Sequence, residues 1–394
     1  MTRLPLFSPH GFVVSRRMFG EPMFIRVGRE LSLIAAGKSY AGGSEAALSD
    51  QKSQVTRNNH YVPQMYLRHW STNGNTVLDY RLLVHYKGEE TWKRSSIRST
   101  CSWQDFYSQH LPDGIDDSVE TYFSQRYETP AAPVFQKVEA DASLSANEMR
   151  ILVEYLVAQL FRTPSAMIRH TSLLRREFAP TAEAAVNRGV SALRLKGLGF
   201  AYPSADEGAV QAPFPNIPIH SRLDEERLEI VVSTSCGRQG FLASIGSILG
   251  GAVPRVLLSY PWVILKTPRG AELPTSDDPV VVFRVEAGDK VVIGGGMGVQ
   301  YTNIMLPLDP RHVLFTEVGM DFYQLAALKM DRRLFDIMFE AIIKNAFLHV
   351  FSRSSIDDIG SYRPRRVDPE RRGSLKNMIA KWDEVQWAIE NDYL

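Results

Sequence analysis

The sequence predicts an α+β protein: a helix-dominated single large domain with a small mixed or antiparallel β-sheet. Three observations predict it. From Asp116 to Gly189, and again from Arg332, apolar residues fall three and four apart, the period of a helix with one buried face. Short runs such as "TVLDYRLLV" and "PVVVFRV" carry β-branched and aromatic residues in strand-like order. At 394 residues, 44% of them hydrophobic, the chain is long enough to bury a large core.

The elements follow in order. Residues 1–52 hold short apolar patches without a sustained period and end in a Gly/Ser/Ala stretch, so they read as an N-terminal extension, disordered or translated from an early start codon. A strand pair beginning at "MFIRV" and docking on the main sheet is the other reading. The main domain spans 53–355. It opens with "TRNNHYVPQMYLRHW", in which Pro63 stands where a helix starts and Tyr66 and Trp70 share a core-facing side. "TVLDYRLLVHYKG" and "SIRSTCSWQDFYS" read as a hairpin. "SANE", residues 145–148, is a capping box for the helix that follows. Residues 197–222 are rich in Pro, Gly and Ala and read as a loop insertion. A helix through "SIGSILGGAV", strands at "WVILKT" and "PVVVFRV", a turn–strand pair from "KVVIGGG" and a long helix "RRLFDIMFEAIIKNAFLHVFS" complete the domain. Residues 356–394 are a basic linker and an amphipathic helix.

Composition and motif content exclude several classes of function. The 45 basic and 44 acidic residues leave +1, too little to steer the whole molecule to nucleic acid or an acidic membrane. No run reaches the ~20 apolar residues of a membrane span, and no signal-peptide pattern is present. Cys101 and Cys236 match no metal or redox spacing, which fits reduced thiols in the cytoplasm. "IGGGMGVQ" is followed by a strand rather than a helix, so a hairpin turn is the better reading than a phosphate cradle.

Several polar residues stand at element ends, where a rigid scaffold meets accessible loop. His60 precedes the opening helix, its ring placed to lean over free N–H groups, with Gln64 on another face of that helix. Glu128 lies before Thr129 and Pro130 inside a helical pattern, as at a kink. Arg162 ends a helix, with five donors for a carboxylate or phosphate. Ser276, Asp277 and Asp278 precede a buried strand. Asn345 and His349, four apart, fall on one face of the late helix. Each also has a plain structural reading as cap, turn residue or solvated charge.

"NHYVPQMYLRHW", "QLFRTP", "TSDDPVVV", "MLPLDP" and "KNAFLHVFS" occur in that order, and over roughly residues 56–355 the chain resembles the bacterial family catalogued as domain of unknown function 4238, marked by an HYVPQ-type opening. The resemblance implies that His60, Tyr61, Pro63, Gln64, Arg162, Thr163, Pro164, Ser276, Asp277, Pro279 and Asn345 belong to one design. It implies no activity.

If these segments converge, they assemble a hydrolytic set: His60, Asp277 and Glu128 as catalytic groups, with Gln64, Arg162, Asn345 and Ser276 binding the substrate. A divalent metal held by Asp277 with Glu128 or His60 is one arrangement open to them, though no ligand spacing is diagnostic. The leading expectation is a nuclease-like or nucleotide-cleaving hydrolase of a stress or defence locus. Its partners would be a small anionic ligand or nucleic acid, the latter through the arginines of "YRPRRVDPERRG". The alternatives are a non-catalytic sensor for an anionic ligand and a purely structural polar network. The sequence does not fix the oligomeric state.

Overall fold

The computed structural model describes residues 57–111, 114–170, 213–215, 219–224, 229–234 and 238–370, together with 13–15, 23–27, 173 and 176. The chain divides into two compact units: Thr56–Ile168 with Ile245–Ala380, and Met1–Val55 with Arg169–Ser244 and Lys381–Leu394. The fold is α+β, with several small sheets that are antiparallel apart from one two-stranded pair among the described residues.

In the second of these units the described residues form one antiparallel sheet, in the order Val13–Ser15, Met23–Val27, Glu229–Thr234, Ile219–Asp224. "MFIRV" is therefore a strand, but it pairs within this separate sheet and not with the main one. The insertion read as loop through residue 222 gives way to a strand at Ile219.

The larger unit is built on two antiparallel sheets. Five strands run in the order Val263–Lys266, His312–Glu317, Asn303–Asp309, Val281–Glu286, Lys290–Ile293. Four more run Thr275–Ser276, His349–Ser352, Thr76–Arg81, Trp92–Ser96. Helix Arg332–Asn345 lays Phe335, Met338, Ala341 and Ile342 into the apolar core of the five-stranded sheet, against Val281, Phe283 and Met305. The outer strand Trp92–Ser96 exposes Lys93 and Arg94.

Three readings of the chain order are corrected. Thr76–Arg81 pairs with Trp92–Ser96, whereas Ser102–Gln104 pairs with Asn58–His60; the turn Ile97–Ser99 and Cys101, at φ 53°, break the run between them. The glycines of "IGGGMGVQ" do not close a hairpin, since Lys290–Ile293 and Asn303–Asp309 lie on opposite sides of Val281–Glu286. The late helix stops at Asn345 and His349–Ser352 is a strand, so Asn345 and His349 do not share a helix face. An apolar run alone does not distinguish a buried strand from more helix.

The opening segment is strand Asn58–His60, one helical turn Gln64–Leu67 and a 3₁₀ turn Arg68–Trp70. Tyr66 and Trp70 are buried, as their spacing predicts. The Tyr66 hydroxyl donates to Pro307 O at 2.8 Å and lies 2.7 Å from Thr275 Oγ1; Trp70 Nε1 donates to Leu273 O at 2.9 Å. These two rings thereby fix the chain where it passes from one sheet to the other.

The tail after residue 355 is anchored as far as it is described. Arg366–Val367 pairs in parallel with Leu83–Val84. Arg365 donates to the carbonyls of Arg81, Glu89 and Glu90. These residues are no free basic linker, and Arg365 is committed to backbone rather than open to phosphate. The amphipathic helix expected further on lies outside the described residues.

Tyr66→Phe removes a buried hydroxyl and leaves Pro307 O and Thr275 Oγ1 without that partner, so a loss of about 1–3 kcal/mol is expected. Urea denaturation at constant m-value measures it; an unchanged midpoint would show that the hydroxyl does not hold the joint.

Candidate functional site

The residues of the family-like motifs fall into two neighbouring networks, and most of their side chains bind backbone. In the first, Asp277 is 1% exposed, and its carboxylate accepts the N–H groups of Phe347 and Leu348, each at 2.8 Å. Burial pushes its pKa up to about 6, against those two donors. Asn345 Nδ2 donates to Asp278 O at 2.6 Å and Val280 O at 3.2 Å. Ser276 Oγ accepts the Asp278 N–H at 3.2 Å, and Thr163 Oγ1 donates to Asp278 Oδ1 at 2.9 Å. The crossover "SDDP" is thus tied to the end of one helix by Asn345 and to the end of another by Thr163.

Beside it, His349 Nδ1 lies 2.8 Å from Asp79 Oδ1. Burial pulls the imidazole pKa down, but the Asp79 carboxylate outweighs it and the net shift is upward.

The second network centres on Arg162, at the end of the capping-box helix Ala146–Phe161, whose Ser145 and Glu148 pair as the sequence predicts. The guanidinium is 1% exposed. It donates from Nη2 to His60 O at 2.6 Å and from Nε to Tyr61 O at 3.3 Å, and pairs with Glu128 Oε1 at 2.8 Å. Its Cζ stands 4.8 Å from the centre of the Phe123 ring. Gln159 Nε2 donates to Tyr61 O, and the Tyr107 hydroxyl to Arg162 O.

Glu128 reaches this guanidinium because Ser124–Glu128 is π-helical, between helices Ser118–Phe123 and Thr129–Glu139. A π turn takes nearly one residue more than an α turn. One turn of each kind therefore returns the chain to the same face after eight residues, which puts Glu128 on the side of Glu120. Where a kink is expected at Glu128, the structure has this π turn within a continuous helical run.

Glu120 is the residue that sequence reasoning missed. Its carboxylate accepts the His60 N–H, and burial raises its pKa to about 7, with the Glu128 charge adding to the rise and Arg162 opposing it. Its Oε2 is buried and has no hydrogen-bond partner, and the same holds for Tyr155 OH and Gln159 Oε1. All three residues pack around the Arg162 network. The sequence carried one usable signal, a second glutamate on the helical pattern of "DDSVETYF", but spacing alone does not reveal the π turn.

His60 itself takes a different place from the one expected. It ends a strand, and its Nε2 donates to Arg98 O at 3.0 Å instead of covering the opening helix. Burial lowers its pKa, so the ring is neutral near pH 7. No hydrogen bond joins His60 to Asp277, whose oxygens are taken by Phe347 and Leu348. The structure therefore brings together His60, Glu128 and Arg162 and leaves Asp277, Ser276 and Asn345 in the neighbouring joint. Gln64 begins the opening turn and is half-buried. Among the described residues no group of three or more His, Cys, Asp or Glu is placed to hold a metal ion.

A family described as a protein of unknown function, DUF4238, matches residues 58–355, most of the chain. The protein belongs to this family. No curated protein and no solved structure matches it.

The raised pKa of Glu120 is a stability statement. The folded value of about 7 lies above the ordinary 4.5, so this carboxyl's contribution is complete below pH 4.5 and is lost as pH climbs through 7. The unfolding free energy of the wild type relative to Glu120→Gln should fall by up to about 3 kcal/mol between pH 4.5 and 8. Denaturant titrations at the two pH values measure this, and a flat difference would mean the carboxyl titrates normally.

Proposed function

We propose that the protein is a hydrolase whose acid–base group is Glu120, with Glu128 as second carboxylate and Arg162 as the positioning residue between them. One observation carries the reading. A buried carboxyl with a free oxygen and a proton affinity near neutrality sits beside a second carboxylate that is paired to a guanidinium. Such a group holds its proton at neutral pH and can deliver it to a leaving atom. Glu128 would then take the proton of the attacking water or attack directly, as paired carboxylates do at glycosidic bonds.

The electrostatics favour a bond with no charge at the reacting atoms. Arg162, the buried cation of the cluster, is already matched by Glu128 and by two carbonyls, so a phosphodiester would find no free counter-charge there. Within the nucleotide-cleaving class the glycosidic bond is therefore the better target than the phosphodiester. Removing the base from a nucleotide depletes a pool that cells need, so a stress or defence role in the bacterial cytoplasm is part of the proposal. The free, buried thiol of Cys101 fits that compartment, and among the described residues no single helix is long and apolar enough to cross a membrane.

A structural reading is favoured by a different observation, the commitment of Arg162, Asp277 and Asn345 to backbone groups. The readings separate at Glu120, whose free oxygen supports nothing. A panel of nucleosides, nucleotides and aryl glycosides should yield a hydrolysed member, with a pH–rate limb near 7. Glu120→Gln should lower that rate by about 10²–10⁴-fold and abolish the limb while the protein stays folded. No turnover across the panel, or full turnover in the variant, would leave the cluster as a structural network.

A further inference from the structure

A second site lies on the far side of the "AFLH" joint. Leu82, Leu83, Ile168 and Phe347 line a cavity of about 450 Å³ into which the chain brings Arg363 and Arg366. This volume is in the range of small-molecule pockets.

Its walls are chemically closed apart from one group. Leu82 N donates to Leu348 O, and Leu82 O accepts the Arg366 N–H at 2.8 Å. The Phe347 and Leu348 N–H groups are held from behind by Asp277. The Arg363 guanidinium is spent on carbonyls at the end of helix Arg332–Asn345, those of Lys344, Ala346 and Phe347 among them. An apolar body entering the cavity therefore meets backbone groups of Leu82, Phe347 and Leu348 that are already paired. Arg366 differs: its side chain is exposed and makes no hydrogen bond or ion pair with a described residue. Among the described residues no carboxylate lines the cavity, and the oxygens of Asp277, behind its wall, are occupied.

We infer that this cavity binds a small amphiphilic monoanion, a single carboxylate on an apolar body, with the carboxylate on the Arg366 guanidinium and the body against Leu82, Leu83, Ile168 and Phe347. The fork of one free guanidinium matches one carboxylate. The inference does not rest on the hydrolase reading, because none of the carboxylates proposed there touches this cavity.

Calorimetric titration of the full chain with octanoate and with 3-phenylpropanoate tests it and separates straight-chain from aromatic bodies, with octan-1-ol as the uncharged control. Saturable binding of one acid per chain is expected. Arg366→Gln should weaken it about tenfold or more, the scale of a charge-assisted hydrogen bond, and leave octan-1-ol unaffected. Ile168→Trp, which narrows the cavity, should weaken binding of all three, with thermal melts confirming that both variants fold. Neither acid saturating at millimolar concentration, or unchanged affinity in either variant, would overturn the assignment.

Discussion

The larger unit depends on a constraint that both sheets share. Between Thr275–Ser276 and Val281–Glu286 the chain leaves one sheet and enters another, and between Asn345 and His349 it turns from helix to strand. The first crossing is buried and the second half-buried, so most of their backbone groups are better satisfied within the protein than by water. Asp277 and Asn345 satisfy them reciprocally, the first taking two N–H groups from the helix–strand turn, the second capping two carbonyls of the sheet crossover. Each crossing holds the other, and this pair of turns joins two sheets and a helix.

Arg162 performs the same service elsewhere, holding the carbonyls of His60 and Tyr61. Its presence has an electrostatic price. A guanidinium removed from water needs a counter-charge, and Glu128 supplies it through the π turn. Glu120, held at the same place by the His60 N–H, is buried there, and burial together with the Glu128 charge outweighs Arg162, so its carboxyl keeps its proton to higher pH. The perturbed group thus follows from the structural demand of its neighbours, which is how a scaffold for backbone can also carry acid–base chemistry.

Much of this was legible in the sequence. Tyr66 and Trp70 at four-residue spacing, the capping box at Ser145 and Glu148, and the irregularity at Glu128 each had a local signature, and local signatures survive folding. The polar residues at element ends were also visible, but their partners were not. His60, Asp277 and Asn345 bond to groups 38, 70 and 67 residues away, and no periodicity encodes which of two neighbouring networks a residue will join. The end of the late helix failed for a related reason: "AFLHVFS" is apolar enough for either state, and the deciding donors and acceptor lie far off in the chain.

Among the described residues the strand Trp92–Ser96 stands at the rim of its sheet with one side unpaired, and it carries Lys93 and Arg94 there. Bringing a like strand alongside would set cations against cations and strip their hydration, so the rim resists extension. The sheet is thereby kept finite, and crowding with copies of itself during synthesis finds no template for edge-to-edge aggregation at this rim.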